Sequence, residues 1–265
     1  TQTILIFCGT IIFLKDHDLQ IFARFSAEPI IFTLFAFILF REVGFILKFQ
    51  INDLKKKILK ILDFSLPLVP SALIVASFTL VNRVVVTESV SEGLTGLFGL
   101  GLTIGLGLNV INIALMQVWS PYFYDLLQNT VAEKNRRTKF FLKYMIPGSI
   151  GIFIFYLFFI KILYIFVIPQ EYHGSEILSY FIALSAFFEG VRKLYVGYLL
   201  RDGNSKLISY ISMLAFLFNI FISLALVGLY GVVGGAVSVA ASQSISAALI
   251  WFYARKTEAY KQLWG

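Results

Sequence analysis

The hydrophobic pattern of this sequence is a series of long apolar runs separated by short polar clusters. The first run, Thr3–Leu14, is too short to cross a bilayer and is typical of the end of a helix that begins before the sequence does. The later runs are long enough, since a spanning helix needs roughly 20 apolar residues. The pattern predicts seven complete spans, at about Ile21–Phe49, Phe64–Thr87, Leu94–Val118, Phe140–Ile168, Ile177–Leu200, Leu207–Leu229 and Val232–Ala254.

One segment between the spans is apolar on a single helical face. In Gln50–Leu62 the residues Leu54, Ile58 and Ile61 recur at helical spacing, and Lys55–Lys57 lie mostly off that stripe. A helix with this pattern buries its apolar face in the membrane interface and keeps its lysines in water. We therefore predict an amphipathic helix on the membrane surface.

The composition places the whole chain in the membrane class. Hydrophobic residues make up 58% of the sequence and charged residues 14%, whereas soluble domains contain about 45–50% and about 25%. Because the excess runs along the entire chain, it excludes a soluble enzyme that carries a single anchor. Membrane strands alternate polar and apolar residues, and these runs do not. The predicted fold class is an all-α polytopic membrane protein.

Lysine and arginine are distributed unequally between the two sides of the predicted membrane. If the spans alternate and Gln50–Leu62 lies on side one, 18 of the 22 Lys and Arg residues fall on that side. Basic loops stay in the cytoplasm, so this asymmetry predicts a cytoplasmic C-terminus. The net charge of +7 then reflects these loops and predicts no nucleic-acid partner. The cations on side two are Lys15, Arg24, Arg83 and Lys161.

Small residues and prolines mark places where helices approach one another or end. Gly101 and Gly105 stand at small-xxx-small spacing, which lets two helix backbones come close. These glycines serve either plain packing or helices that slide during a conformational change. Pro121 follows Trp119 and Ser120, and we expect it to end its span.

The residue types that bind metals or form disulfides are scarce. Cys8 is the sole cysteine of the sequence, so it has no intramolecular disulfide partner. His17 and His173 are far apart in the sequence and lie beside predicted loops. No metal site and no cofactor is predicted.

Three stretches of the chain have a recognisable order of glycine, proline and aromatic residues. They are LDFSLPLVPSALIVASFTLVNRVVV (62–86), TGLFGLGLTIGLGLNVINIALMQVWSPYFYDLL (95–127) and SKLISYISMLAFLFNIFISLALVGLYGVVGGAVSVAASQSISAALIWFYARK (205–256). The second starts with Gly96-Leu97-Phe98-Gly99 and ends with the WSPYFY sequence, and the third contains Tyr230-Gly231-Val232-Val233-Gly234. These stretches resemble Wzx-type polysaccharide flippases of the multidrug/oligosaccharidyl-lipid/polysaccharide exporter superfamily. The likeness is clearest in the second stretch, and Tyr230–Gly234 looks like the Tyr-Gly-x-x-Gly turn of the family.

The resemblance implies a fold of twelve helices in two lobes around a central cavity, of which this chain is a C-terminal fragment. Residues 1–49 would be the end of the first lobe, 50–62 a cytoplasmic linker, 63–256 the six-helix second lobe and 257–265 a cytoplasmic tail. The implied activity is alternating access in the cytoplasmic (inner) membrane of a bacterial cell. The implied substrate is an oligosaccharide linked to a polyprenyl lipid through pyrophosphate.

One departure from the family pattern concerns the outer end of the Phe64–Thr87 span. The family often has Ser-Asp-Arg there, and this chain has Val81-Asn82-Arg83. The missing carboxylate leaves Arg83 without that neighbour, so a role that depends on an acidic residue does not carry over.

A pyrophosphate headgroup and a polar glycan need a wet cavity with cationic and polar groups. A charge within a span costs about 2.5–3.5 kcal/mol on insertion scales, and such residues are functional candidates by default. Membrane lipid and a coupling ion, either a proton or sodium, are the other expected partners. We predict substrate contacts for Arg24, Asn82, Arg83, Asn109, Asn112 and Lys161, and ion coupling for Glu28 and Glu189.

Several of these residues have an alternative interpretation, in which they stabilise the fold and do not contact the substrate. Arg24 and Glu28 share a helical face, so they either line the cavity or form a self-satisfied pair. Asn109 and Asn112 also share a face, and they either line a cavity or bond across helices.

Glu189 is the acidic candidate closest to the middle of the membrane. It can pair with Lys193 one turn on, or with Arg192. The pair either fixes helix packing or leaves Glu189 free to take up a proton or a sodium ion during transport.

Two other classes of protein remain open. A cation-coupled multidrug exporter would use carboxylates inside the lobe, and only Glu28 and Glu189 qualify. A membrane glycan polymerase or ligase would need acid, base or cationic groups on a large outer loop. The outer loops are about eight residues each, and their ionisable residues are typical of solvated turns, so we do not expect an enzyme.

Overall fold

The computed structural model describes residues 58–59, 61–63, 65–89, 92–128 and 132–264. The chain divides into two compact units, Thr1–Lys60 and Ile61–Gly265, and the helices below belong to the second. No strand occurs in the described ranges, which confirms the all-α prediction. The helices are α1 (Leu68–Ser89), α2 (Glu92–Leu106), α3 (Leu108–Gln128), α4 (Ala132–Phe166), α5 (Glu176–Arg201), α6 (Ser205–Tyr230), α7 (Val232–Ala254) and α8 (Glu258–Trp264), with a 3₁₀ turn at Gln170–Ser175.

Four helical stretches in the described part of the chain are long and apolar enough to cross a membrane. They are Gly93–Tyr124, Tyr144–Phe166, Ser205–Tyr230 and Val232–Ala254. The surface of the helices is also apolar, since Phe155, Phe221 and Leu229 are 73%, 71% and 75% exposed. An apolar surface of this extent is unfavourable in water and favourable in lipid. The finding supports a membrane-embedded chain.

The two remaining spans predicted after the linker also coincide with helices. Phe64–Thr87 corresponds to α1 and Ile177–Leu200 to α5, and α5 carries charged residues in its interior. The runs Thr3–Leu14 and Ile21–Phe49 lie outside the described residues. In the predicted amphipathic segment, residues 58, 59, 61 and 62 are helical and exposed, and its other positions lie outside the described residues.

The predicted span Leu94–Val118 contains a helix break that the hydrophobic pattern did not indicate. Helix α2 ends at Leu106 and α3 begins at Leu108. The Gly107 N–H donates to the Ile104 carbonyl and the Val110 N–H donates to the Gly107 carbonyl, both at 3.1 Å and both three residues apart. A Cβ atom at Gly107 would collide with the Tyr156 hydroxyl, which itself donates to the Ile104 carbonyl at 2.5 Å. Close contact with α4 therefore requires glycine at the break.

The expectation that Pro121 ends this span is wrong. Helix α3 continues through Pro121 to Gln128. A proline removes one backbone donor from the helix, and a helix can pass through it when neighbouring packing holds the flanking turns. Here Trp119 and Phe123 are 3% and 1% exposed, so both sides of the proline are anchored in the core.

Helix α5 lies at the centre of the described unit, packed against α2, α3, α4 and α7. Helix α2 comes close to α5, since a Cβ at Gly101 would lie 2.7 Å from Leu178 Cβ. One turn further, a Cβ at Gly105 would lie 2.5 Å from Ile182 Cβ and 2.8 Å from the Ser179 carbonyl oxygen. Both glycines of the small-xxx-small pair thus lie in the α2–α5 contact.

The turn between α6 and α7 also depends on glycine. Gly231 has φ of +58°, which side-chain-bearing residues rarely adopt. A Cβ at Gly234 would overlap the backbone of Leu226 on α6. These two glycines let α7 fold back tightly along α6, so the two helices run antiparallel in close contact.

The C-terminal helix α8 is attached to the same end of the unit as the WSPYFY sequence. The Tyr198 ring lies 4.8 Å from that of Phe123 and 5.5 Å from that of Tyr260, centroid to centroid. The backbone N–H of Glu258 donates to the Asp202 carboxylate at 3.0 Å, which caps the first turn of α8. The aromatic cluster therefore joins α3, α5 and α8.

The α2–α5 contact generates a prediction about two glycines of one helix. Gly105→Ala should lower the free energy of unfolding by about 1–3 kcal/mol, because the added methyl group overpacks the contact with Ile182. Gly99→Ala is the matched control, since a Cβ there meets no described atom within 4 Å. It should be neutral or gain roughly 0.5–1 kcal/mol, because alanine favours the helix. Unfolding of the purified protein in denaturing detergent measures both, and equal effects would contradict the assigned contact.

Candidate functional site

Polar side chains are buried between the apolar helices at two places, one around α5 and one where α1, α6 and α7 meet. Burying a polar group without a hydrogen-bond partner costs about 1–3 kcal/mol in proteins. The partner of each buried group therefore indicates whether that group stabilises the fold or is available to a ligand. Several buried serines, such as Ser185 and Ser242, bond to the backbone of their own helix. Asn82, Asn109, Asn112, Glu189 and Arg192 also bond to residues on other helices.

The first cluster, which we call the amide cluster, consists of Asn82 on α1, Asn219 on α6 and Ser238 on α7. The Asn82 side-chain amide donates to the Asn219 side-chain oxygen and to the Phe78 carbonyl, both at 2.7 Å. The Ser238 hydroxyl donates to the Asn82 side-chain oxygen at 3.1 Å. All three residues are fully buried. The amide cluster therefore ties three helices together with neutral groups.

The amide cluster is incompletely bonded at its α6 edge. The side-chain nitrogen of Asn219 and the hydroxyl of Ser223 are buried, and neither has a hydrogen-bond partner among the described residues. Asn219 was not a candidate from the sequence. The available signal was an asparagine in the middle of a mostly apolar helix.

The second cluster, the carboxylate cluster, brings Asn109, Asn112 and Glu189 together with Lys193. Lys193 pairs with the Glu189 carboxylate at 2.7 Å, and Asn109 donates to its other oxygen at 3.2 Å. Asn112 donates to the Ala186 carbonyl at 2.8 Å and to the Asn109 side-chain oxygen at 3.3 Å. Three predicted site residues from α3 and α5 thus form one bonded group.

Gly190 explains how Asn112 reaches the backbone of α5. A Cβ at Gly190 would lie 2.7 Å from the Asn112 side-chain oxygen. A small cavity next to this contact is lined by Asn112, Met116, Ser149 and Gly190, among others. The carboxylate cluster therefore adjoins a cavity between α3, α4 and α5.

Arg192 lies on α5 one turn from Glu189, yet Glu189 pairs with Lys193. Arg192 is only 7% exposed. Its Nη1 donates to the Ser212 hydroxyl on α6 at 3.5 Å, and that hydroxyl is 2.9 Å from the Ser71 hydroxyl on α1. The Nε of Arg192 is buried and has no partner among the described residues. Sequence reasoning treated Arg192 only as an alternative partner for Glu189.

The other predicted cations are placed differently. Arg83 is exposed on α1, next to the buried Asn82. Lys161 is exposed on α4 and donates to Glu176 at 2.9 Å. This hydrogen bond from Lys161 is the main cause that lowers the pKa of the Glu176 carboxyl below its usual value, against the opposing effect of desolvation. Arg24 and Glu28 lie outside the described residues.

The described residues contain no group of three or more His, Cys, Asp or Glu side chains that could hold a metal ion. His173 in the 3₁₀ turn contacts the Ile168 carbonyl through Nε2 at 3.1 Å and is exposed. The candidate site is therefore made of asparagine, serine, arginine and one Glu–Lys pair, which are groups that bind polar and anionic ligands through hydrogen bonds.

Comparisons with known proteins identify no family. No family model matches the chain, and no solved structure is significantly similar to it. The chain is 28% identical over 195 residues to a Haemophilus influenzae protein described as protein 1 of the Lsg locus. The alignment covers 68% of this chain and 45% of that protein, so the chain spans less than half the length of this relative. The description of the relative states no activity.

The amide cluster generates a prediction about stability. Asn82→Leu should lower the free energy of unfolding by about 1–2 kcal/mol, because it removes the partner of Asn219 and one partner of Ser238. In the double variant Asn82→Leu/Asn219→Leu the loss should be smaller than the sum of the single losses, because both ends of the bond are gone.

The control for this prediction is Gln117→Leu, an exposed position on α3 where we expect no loss. Denaturation of the purified protein measures all four variants. Additive losses in the double variant would show that Asn82 and Asn219 do not stabilise each other.

Proposed function

We propose that this chain is the C-terminal part of a transporter that moves a polyprenyl-pyrophosphate-linked oligosaccharide across the cytoplasmic membrane of a bacterial cell. The observation that carries the proposal is the carboxylate cluster, in which Asn109, Asn112, Glu189 and Lys193 are bonded between helices of an apolar bundle. Ionisable groups in such a place are costly, so they are functional candidates by default.

The polar interior and the apolar exterior suit this substrate. A lipid-linked oligosaccharide has a hydrocarbon tail, which can stay in the bilayer next to the exposed apolar surface of the helices. Its phosphate and sugar groups need hydrogen-bond donors and acceptors in place of water. Buried asparagine, serine and arginine side chains supply them between α1, α3, α5, α6 and α7.

The arrangement that we propose is a twelve-helix fold in two lobes, with residues 63–256 as the second lobe. The resemblance to Wzx-type flippases supports it, and α1 to α7 occupy the positions of the predicted spans of that lobe. The Haemophilus influenzae relative is more than twice as long as the aligned segment, which leaves room for the helices of a first lobe. Residues 1–49 are proposed as the end of that lobe.

Coupling to an ion is proposed at Glu189. Its carboxylate holds Lys193 on its own helix and Asn109 on α3. A proton or a sodium ion on this carboxylate would weaken both bonds, because it removes or neutralises the negative charge that they depend on. Helices α3 and α5 could then separate on the side of the neighbouring cavity. Glu28 remains a second coupling candidate from the sequence.

The second candidate function is a cation-coupled multidrug exporter. The observation that favours it is the same carboxylate, since the Glu189 side chain is only 13% exposed and the neighbouring Gly190 lines a small cavity. A cationic drug would compete with Lys193 for this carboxylate. The buried and unpaired Arg192 opposes a cationic substrate, and this ranks the exporter below the flippase.

The first experiment compares cells that lack the full-length gene with cells that carry it. It measures the lipid-linked oligosaccharide on each leaflet of the cytoplasmic membrane, together with surface polysaccharide. We expect the complete lipid-linked unit to accumulate on the inner leaflet, with at least a tenfold loss of surface glycan. Normal glycan together with greater sensitivity to cationic drugs would favour the exporter, and incomplete lipid-linked units would indicate an assembly enzyme.

The carboxylate cluster generates a prediction for the same cells. Glu189→Gln should reduce glycan export at least tenfold with normal membrane insertion, because glutamine keeps the shape of the side chain but cannot ionise. The matched control is Glu258→Gln, whose carboxylate also pairs with a lysine at 2.7 Å but on the exposed surface of α8. Full export in the Glu189→Gln cells would contradict a coupling role.

A further inference from the structure

Arg192 differs from the other cations whose side chains the structure describes. It is 93% buried, whereas Arg83 and Lys161 are exposed. A guanidinium has five N–H donors. One of them reaches the Ser212 hydroxyl at a long 3.5 Å, and the Nε donor has no partner among the described residues.

No described carboxylate forms an ion pair with Arg192. The nearest acidic residue along α5 is Glu189, and its two oxygens bond to Lys193 at 2.7 Å and to Asn109 at 3.2 Å. Lys193 thus occupies the carboxylate that would neutralise Arg192. Glu189 therefore attracts Arg192 only at longer range and without a direct ion pair. A buried charge without a paired counter-charge destabilises the folded protein, so a negatively charged partner from outside the described chain would stabilise Arg192.

We propose that Arg192, Ser212 and Ser71 form a binding site for a phosphate-class anion at the junction of α5, α6 and α1. Where the anion is the pyrophosphate of a lipid-linked oligosaccharide, the inference rests on the proposed function and assigns the headgroup to a place in the second lobe. The anion-binding chemistry itself depends only on these three side chains.

The three side chains match the needs of a phosphate. Arginine offers a planar fork of donors that binds two phosphate oxygens at once. The Ser212 hydroxyl is 3.5 Å from Nη1 of Arg192 and 2.9 Å from the Ser71 hydroxyl, so the guanidinium has one hydroxyl next to it and a second hydroxyl next to the first. Each hydroxyl can rotate its hydrogen towards an anion, because at present the two hydroxyls share one hydrogen bond.

The position of the site along the helices fits the loading of a headgroup. Ser71 lies in the first turn of α1, Ser212 in the first half of α6, and Arg192 nine residues before Arg201 at the end of α5. At a rise of 1.5 Å per residue, Arg192 is about 14 Å from that helix end. The lysine and arginine distribution predicts that this end faces the cytoplasm, the side on which a lipid-linked substrate would be loaded.

The test uses the purified full-length protein in detergent and two probes, inorganic pyrophosphate and geranylgeranyl pyrophosphate. Affinity is measured by titration calorimetry. We expect the wild type to bind and Arg192→Gln to lose affinity at least tenfold. Arg192→Lys should retain an intermediate affinity, because lysine keeps the charge without the fork. Arg255→Gln, which removes an exposed arginine at the end of α7 that belongs to no candidate site, should bind as the wild type does.

A second measurement separates binding from a purely structural role. Without a probe, Arg192→Met should unfold at the same temperature as the wild type or higher, because it removes an unpaired buried charge. It should also lose the upward shift that the probes give to the wild type. A lower unfolding temperature together with unchanged probe binding would show a structural residue and overturn the proposal.

The two probes distinguish the sources of the anion. Binding of geranylgeranyl pyrophosphate alone would identify a lipid headgroup, and equal binding of both probes would identify a site for the free anion. Binding of neither probe to the wild type, or equal binding to Arg192→Gln, would overturn the proposal.

The result of the binding test can also be distinguished from the result of the cell experiment that measures lipid-linked oligosaccharide on each leaflet. If the probes bind through Arg192 but cells without the gene export normal glycan, the proposed function fails and the anion site stands. If those cells accumulate the lipid-linked unit but Arg192→Gln binds and exports as the wild type does, the anion site fails and the proposed function stands.

Discussion

A polar side chain within these helices is stabilised only by a partner on another helix, on its own helix or on a bound ligand, because lipid supplies no hydrogen bonds. That constraint makes α5 the organising element of the described unit. Its glycine-lined contact with α2 brings two backbones together, and its contact with α3 places Asn109 and Asn112 against Glu189 and Ala186. The polar bonds and the apolar packing of the unit therefore depend on the same central helix.

The two polar clusters and Arg192 differ in how completely they are bonded. The amide cluster consists of neutral groups, and its central member Asn82 makes three hydrogen bonds, which suits a joint between α1, α6 and α7. The carboxylate cluster is a charged pair supported by an amide, and protonation would change it. Arg192 carries a charge, and its Nε has no hydrogen-bond partner among the described residues. A ligand that supplies a negative charge would therefore stabilise Arg192 more than either of the two clusters.

Glycine has a different structural role at each of the close contacts. Gly101 and Gly105 allow two helix backbones to touch, Gly190 admits a side-chain amide to the backbone of α5, and Gly231 adopts a left-handed φ that turns the chain. Without a hydrophobic driving force between helices in lipid, such short distances increase van der Waals contact and favour association.

The sequence by itself determined the helical class, the approximate positions of the long helices after residue 63 and the short list of polar residues, because burial in lipid acts on composition and on run length. It also placed Asn109, Asn112 and Glu189 among the candidates. Only the tertiary structure decided that Lys193, and not Arg192, neutralises Glu189. It likewise decided that the helix breaks at Gly107 and not at Pro121. The physical reason is that both outcomes depend on which side chains neighbouring helices present, and spacing along one helix carries no information about them.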